Sequence, residues 1–350
     1  MFTFSEKYLR PRSLVIAALA GLGLMATAGL ASAETTLETV KARGTLKCGT
    51  AVDIPGFGYP DSNGVVHGMD VDYCKAMAAA VLGDPTKVEF IPLTGTTRFP
   101  ALQSGEVDVL FRQVTTTFSR DTSLGFVTGP TTVFDGQGIM VPTSLGVTKA
   151  SELDGATVCL TPGSNSELTI GDFFKTHGMT FKTISIDNND EMLKAFFSGR
   201  CDVYTSDRSY LGIIRSVSAD PSAYVVLDDV LSKSPLAPVV RQGDDQWYNI
   251  LRWTVFAPMI AEEYGITGEN VDEMKASSES PVVKRFLGGQ ADFSKGLGLS
   301  DDWAYNVVKA VGNYGQMFER NLGKDSAIGM ERGANNLYLN GGLIYTPPFH

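Results

Sequence analysis

The chain has 350 residues, with 29 Lys plus Arg, 39 Asp plus Glu and a formal net charge of -10. Apolar residues make up 43% and charged residues 19%, a folded globular mixture rather than a disordered one; the length exceeds what one core usually fills, so two lobes are expected. An acidic chain without a Lys/Arg run is a poor nucleic-acid or anionic-membrane binder, and three histidines with no HExxH, CxxC or Walker-type loop predict neither a metal nor a cofactor.

At the N-terminus Lys7, Arg10 and Arg12 precede an apolar run, roughly Ser13 to Leu30, that ends in Ala31-Ser32-Ala33. This is the charged region, apolar region and small-x-small cleavage site of a secretory signal peptide, so residues 1–33 read as an address and the product as exported and soluble. Cleavage after Ala33 leaves 317 residues, and no later stretch is long and apolar enough to span a bilayer. Export permits disulfides, and four cysteines remain: Cys48, Cys74, Cys159 and Cys201. Three connectivities exist; Cys48–Cys74 with Cys159–Cys201 is preferred because each pair closes a local loop within one lobe.

Alternating patterns then predict a strand over 45–50, a turn at Asp61-Ser62-Asn63-Gly64, a helix over 72–82, a strand over 87–92, a helix over 98–104 and a strand over 107–110. A polar loop, Gln113 to Thr117, is expected to follow. The alternation repeats with strands over 158–161, 182–186 and 202–205 and helices near 166–175 and 190–197. Ala101, Ser104, Gly105, Asp108 and Val109 recur at the same offsets as Ala195, Ser198, Gly199, Asp202 and Val203, which suggests two similarly built lobes. Strands alternating with helices imply a mostly parallel sheet with ligands at the strands' C-terminal ends.

Two apolar segments, Gln137–Val141 and Pro235–Val240, read as crossings between lobes. The second lobe is then an insertion in the first, and two strands between lobes make a hinge. The expected division is 34–139 with 239–350 for the first lobe, including a C-terminal helical extension, and 140–238 for the second. Helices are predicted over 245–264 and 302–322, whose aromatic stripes read as core packing. The last residues, 340–350, are expected to lie over the surface as a tail.

Leu46–Gly49, Gly68-Met-Asp-Val-Asp72, Arg98-Phe-Pro-Ala-Leu-Gln-Ser-Gly-Glu-Val-Asp108 and Ser119-Arg120-Asp121 resemble the periplasmic binding proteins of polar amino-acid ABC importers. Cys201-Asp-Val-Tyr-Thr-Ser-Asp207, Arg241-Gln-Gly-Asp-Asp245 and the stretch from Asp302 to Gly315 narrow the resemblance to the general L-amino-acid-binding branch, and all four cysteines match it. The resemblance covers nearly all of the chain after residue 33. It implies an α/β, two-lobe, type II periplasmic-binding fold with a two-segment hinge. It also implies a periplasmic, monomeric receptor that closes on an amino acid and delivers it to an ABC permease.

A free amino acid carries an ammonium and a carboxylate, and a dry cleft must pair both. Arg120 is the candidate for the carboxylate because its planar fork matches one with two hydrogen bonds. Read alone, such an arginine is commonly a solvated side chain; the resemblance gives it the role. Asp207 is the candidate for the ammonium because the resemblance puts the family's ammonium-binding aspartate there; read alone, its place before a helical stretch suits an N-cap. Ser164 and Asn165 sit between a strand and a helix, where backbone N–H groups suit a carboxylate, and Gln113 and Thr115 match positions that touch the ligand's charged groups. The chain departs from the branch where it carries Gln113-Val114-Thr115-Thr116-Thr117 instead of an Asn-Thr-Thr-Trp-Thr run, and where Ser164-Asn165 replaces threonines. These changes bear on ligand breadth. The same fold also serves exported dehydratases, for which Asp53 and Glu167 are the acid–base candidates here, and chemosensory co-receptors.

Overall fold

A computed structural model describes residues 34–326 and 328–350; the expected signal peptide lies outside the described residues. Ten strands form one continuous sheet, and its main path runs Val88–Pro92, Leu46–Thr50, Val109–Thr115, Ser232–Arg241, Val133–Pro142, Val203–Asp207, Thr157–Leu160, Lys182–Ser185. The first three strands are parallel to one another, as are the last three. Between these groups stand two long antiparallel strands, Val133–Pro142 and Ser232–Arg241. Each joins its own side of the sheet at one end, the first beside Val203–Asp207 and the second beside Val109–Thr115. They pair with each other only from Val133 to Gln137 and from Ser232 to Leu236. Among the described residues, this five-residue ribbon is the sole link in the sheet path between the two groups of parallel strands. It begins N-terminal to both apolar segments marked in the sequence, because polar Asp135 and Gly136 hide its first half.

The internal repeat has a physical cause. Gly105 and Gly199 both end helices with positive φ (79° and 76°), a conformation glycine adopts without steric cost. Ser104 and Ser198 donate their hydroxyls to the carbonyls of Ala101 and Ala195 at 3.1 and 3.0 Å. Asp108 and Asp202 accept the N–H of Lys47 and Thr157 at 2.8 and 2.7 Å, each tying the start of its strand to the neighbouring parallel one. The same helix end and strand start are thus built twice, once on each side of the crossing ribbon.

Both preferred disulfides are present. Cys48, on a central strand, joins Cys74 on the helix Met69–Leu82, and Cys159 joins Cys201 ahead of the strand Val203–Asp207. Sequence separations of 26 and 42 residues give about 3–4 kcal/mol each in the chain-entropy model. Replacing either pair by alanines is expected to lower the unfolding free energy from urea titration by that amount; a loss under about 1 kcal/mol would show that the bond contributes little through the unfolded chain.

Three expectations need correction. The strand placed at 107–110 spans Val109–Thr115, so Gln113 to Thr115 belong to it and not to a loop; pairing of Thr115 with Leu236 carries the strand that far. The helix expected over 302–322 is two, Trp303–Val311 and Tyr314–Asn321. Gly312 breaks it with φ 74°, and Asn313 with Gln316 forms a capping box that starts the second piece. The C-terminal residues are not a surface tail throughout. Phe349 is buried, with its ring 5.3 Å from those of Phe286 and Phe293 and 5.7 Å from that of Trp253. Among the described residues no helix is long and apolar enough to cross a membrane.

Candidate functional site

The strands that flank the ribbon end at one cleft, and the residues just past their ends line it. Gln113, Thr115, Arg120, Ser164, Asn165 and Asp207, the six candidates from the sequence, all face this single cavity of about 60 Å³. That is room for about four to six water-sized groups.

Arg120 sits on the short helix Phe118–Ser123, which Thr117 caps by accepting the Arg120 N–H. Its guanidinium donates to the Thr115 carbonyl at 2.7 Å and lies 5.2 Å from the centre of the Phe99 ring. Burial lowers its pKa to about 10, and the Asp207 charge works against that fall. Facing it is the helix Asn165–Thr176. Ser164 caps this helix by accepting the Glu167 N–H, and its own N–H goes to the Thr161 carbonyl. The first-turn N–H groups of Asn165 and Ser166 are left without intrahelical acceptors, and both residues line the cavity. A guanidinium and a helix N-terminus across a narrow gap make a site for one anion.

Asp207 ends its strand and occupies the N-cap position of the helix Arg208–Val217, but its side chain makes no cap hydrogen bond. The carboxylate turns to the cleft instead. Burial, and then the neighbouring Asp135 charge, raise its pKa to about 7; the Ser234 hydroxyl, Arg98 and Arg120 oppose that rise. A buried carboxylate near neutrality is a place for a ligand cation.

Gln113 holds the left-handed conformation at φ 43°, unusual for a residue other than glycine. Its N–H donates to Asp70 at 2.9 Å. Asp70 is almost fully buried; burial raises its pKa to about 7 against the pull of that N–H and of Arg112.

The sequence reading missed Arg98, Arg112 and Tyr210, which line the same cavity. Arg112 donates Nε to the Leu93 carbonyl at 2.9 Å, and Arg98 reaches the carbonyls of Arg112 and Gly163 at 3.5 and 3.4 Å. A signal existed for Arg112: a charge inside the apolar run Val109-Leu-Phe-Arg-Gln-Val114. Among the described residues, Arg98 Nε, Arg112 Nη2, Gln113 Nε2 and the Tyr210 hydroxyl are buried with no hydrogen-bond partner.

Asp53 and Glu167 do not line this cavity. Asp53 accepts the Asn189 N–H at 3.3 Å, and Glu167 accepts the Gly163 N–H at 2.9 Å. The walls also meet directly at the rim, where Asp187 accepts from the Thr96 hydroxyl at 2.6 Å and from its N–H at 3.2 Å. No group of His, Cys, Asp and Glu suited to a metal ion occurs among the described residues.

Residues 46–264 match the model of the bacterial extracellular solute-binding proteins, family 3. The chain is 48% identical over 339 residues to the general L-amino acid-binding periplasmic protein AapJ of Rhizobium johnstonii, covering 96% of this chain and 99% of the relative. It is 50% identical over 322 residues to the glutamate/glutamine/aspartate/asparagine-binding protein BztA of Rhodobacter capsulatus, covering 92% and 95%. Among solved structures, an ABC transporter periplasmic binding protein from Brucella ovis with glutathione bound superposes with a TM-score of 0.86 at 45% identity, covering 90% of this chain and 99% of that one.

Proposed function

The chain belongs to the bacterial extracellular solute-binding proteins of family 3, and we propose that within this family it is an exported, monomeric receptor that closes on a free L-amino acid and delivers it to the permease of an ABC importer. The observation that carries the reading is the opposed pair in one small cleft: Arg120 with the N-terminus of the helix Asn165–Thr176 for a carboxylate, and Asp207 for an ammonium. Gln113 and Thr115 frame the same two groups. We take the lobes as 34–139 with 239–350 and 140–238, and the ribbon, which crosses a few residues before each boundary, as the hinge; binding shifts the balance between open and closed forms by its preference for the closed one. We read transport rather than catalysis: relatives matched over nearly the whole chain are binding proteins, and the acid–base candidates Asp53 and Glu167 do not line the cavity.

The remaining wall narrows the ligand. Arg98, Arg112, Gln113 and Tyr210 all carry donors and line the cavity, and Ile54 is the one large aliphatic side chain among the lining residues. Buried donors left unpaired cost about 1–3 kcal/mol each. A ligand side chain that accepts hydrogen bonds, a carboxylate or carboxamide, fits this wall; an aliphatic or cationic one does not. A second reading has its own support. Arg120, Ser164 and Asn165 also border an adjoining hollow of about 260 Å³ that runs past Phe99 and Leu168, space for a peptide extension.

A thermal-shift screen of protein unfolded and refolded to strip carried ligand tests both. Glu, Gln, Asp and Asn are expected to give the largest shifts among the twenty L-amino acids, about 2.7 kcal/mol at 100 times the dissociation constant. A larger shift with reduced glutathione than with glutamate would favour the extended ligand. No shift with any amino acid or with glutathione would overturn the receptor reading.

A further inference from the structure

The hinge ribbon is fastened from outside the sheet. Phe134 lies in the stretch where the two crossing strands pair with each other, opposite Pro235, a residue with no N–H to give. On the other side, pairing with the strand Val203–Asp207 starts only at Gln137. The N–H and C=O of Phe134 are both satisfied by one side chain from the far C-terminal region. The N–H donates to Asn335 Oδ1 at 2.7 Å, and Asn335 Nδ2 donates to the carbonyl at 3.0 Å. Asn335 is 1% exposed and acts as a one-residue strand edge. Two residues upstream, the Tyr314 hydroxyl donates to the Thr132 carbonyl at 2.9 Å.

The fastener is itself held rigidly. Arg332 donates to the Asn335 carbonyl at 2.8 Å and forms a two-pronged pair with Glu262 at 2.5 and 3.1 Å. Its guanidinium lies over the rings of Tyr314 and Phe318. Glu262 belongs to the helix Asp245–Glu263, packed against Met69–Leu82 and Tyr314–Asn321. Asn335 and Tyr314 both lie beyond residues 46–264, the part matched by the family model.

We propose that Asn335 is a positioning residue for ligand binding: it pins Phe134 to the first lobe and so fixes where the crossing strand bends, which sets the ligand-free balance between open and closed forms. Asn335 does not line the cleft, so its influence on affinity is entirely conformational. An apparent dissociation constant scales inversely with the fraction of competent closed-prone protein, and loosening the bend widens the open ensemble at the expense of that fraction. The C-terminal extension is thereby a tuning element for affinity. This rests on the closure reading above.

The test compares Asn335→Ala with wild type in two ways. Spin labels at Glu89→Cys and Thr183→Cys, on exposed positions near opposite ends of the sheet, report the ligand-free inter-lobe distance. Titration with glutamate, or with the best ligand of the screen, reports affinity and dissociation rate. Asn335→Ala is expected to broaden and lengthen the distance distribution and to raise the dissociation constant about tenfold. Tyr314→Phe, which deletes the hydroxyl that donates to the Thr132 carbonyl and lies 3.4 Å from Asn335 Oδ1, is expected to shift both in the same direction by less and covers the case in which the alanine variant folds poorly. Phe349→Leu, in the same extension but remote from the ribbon, is expected to lower thermal stability and leave both readouts unchanged. Unchanged distances in both hinge variants, or equal changes in Phe349→Leu, would overturn the proposal. If wild-type protein binds no amino acid, the receptor reading fails, while the distance measurement still decides the hinge.

Discussion

Asp207→Asn is expected to weaken amino-acid binding by about thirtyfold or more and to flatten its pH dependence. The size follows from leaving a ligand ammonium buried without its counter-charge, about 2–5 kcal/mol. The pH dependence follows from the environment of the carboxylate. In the ligand-free cleft burial and Asp135 hold its pKa at about 7, raised from 3.8. A bound ammonium favours the ionised form, so binding below pH 7 must release a proton. Affinity should therefore fall toward tenfold per pH unit as the pH drops below 7 and level off above it. The sign for stability is the reverse of the usual carboxylate case. A folded pKa above the unfolded value means the ligand-free protein binds a proton on folding between about pH 4 and 7. It loses that contribution as the pH rises through the window. The ligand restores it, so the ligand-induced thermal shift grows from pH 5 to pH 8. Calorimetry in buffers of different ionisation enthalpy checks the proton release directly. A pH-independent affinity in wild type, or an asparagine variant that binds within threefold of it, would remove Asp207 from the ammonium site.

The elements legible in the sequence are those set by local chemistry. Gly105 and Gly199 mark helix ends because the chain needs a left-handed residue there, and the largely apolar run of Leu46–Thr50 follows from its burial between two parallel neighbours. Gly312-Asn313 also carried a local stop, but the apolar stripe continuing through Tyr314 and Phe318 masked it. What the sequence hid is set by distant partners. Nothing near Asn335 announces that its carboxamide meets Phe134, 201 residues earlier. The burial of Phe349 depends on Trp253, Phe286 and Phe293 arriving from two other segments. Within the cleft, Asp207 was visible as a polar residue at a strand end. Arg98 reads equally well as the start of a helix, and only the meeting of three strands shows that it faces Gly163.

Arg120→Ala is expected to lower affinity at least as far, with the fold intact. Three guanidiniums approach the cleft, and their partners separate their duties. Arg112 is committed through Nε to Leu93, and Arg98 braces Arg112 and Gly163, so removing either should disturb wall and ligand together. Arg120 is committed only to the Thr115 carbonyl at close range, with Gly163 at 3.5 Å, and its buried charge is held at a cost that lowers its pKa to about 10. Losing it should cost the ligand-free protein little, since burial opposed that charge from the start. The ligand carboxylate, by contrast, would keep the helix N-terminus and lose its fork, leaving a desolvated anion underpaired by about 2–5 kcal/mol. Arg120→Lys keeps the charge without the planar fork and should fall between alanine and wild type. The measurement is the dissociation constant by calorimetry beside the ligand-free melting temperature. A melting temperature within about 2 °C of wild type with affinity lost thirtyfold or more fits a ligand-binding arginine. Affinity within threefold of wild type would pass the carboxylate to Arg98 or Arg112, and a loss of both affinity and stability would make Arg120 a brace of the Thr115 strand end.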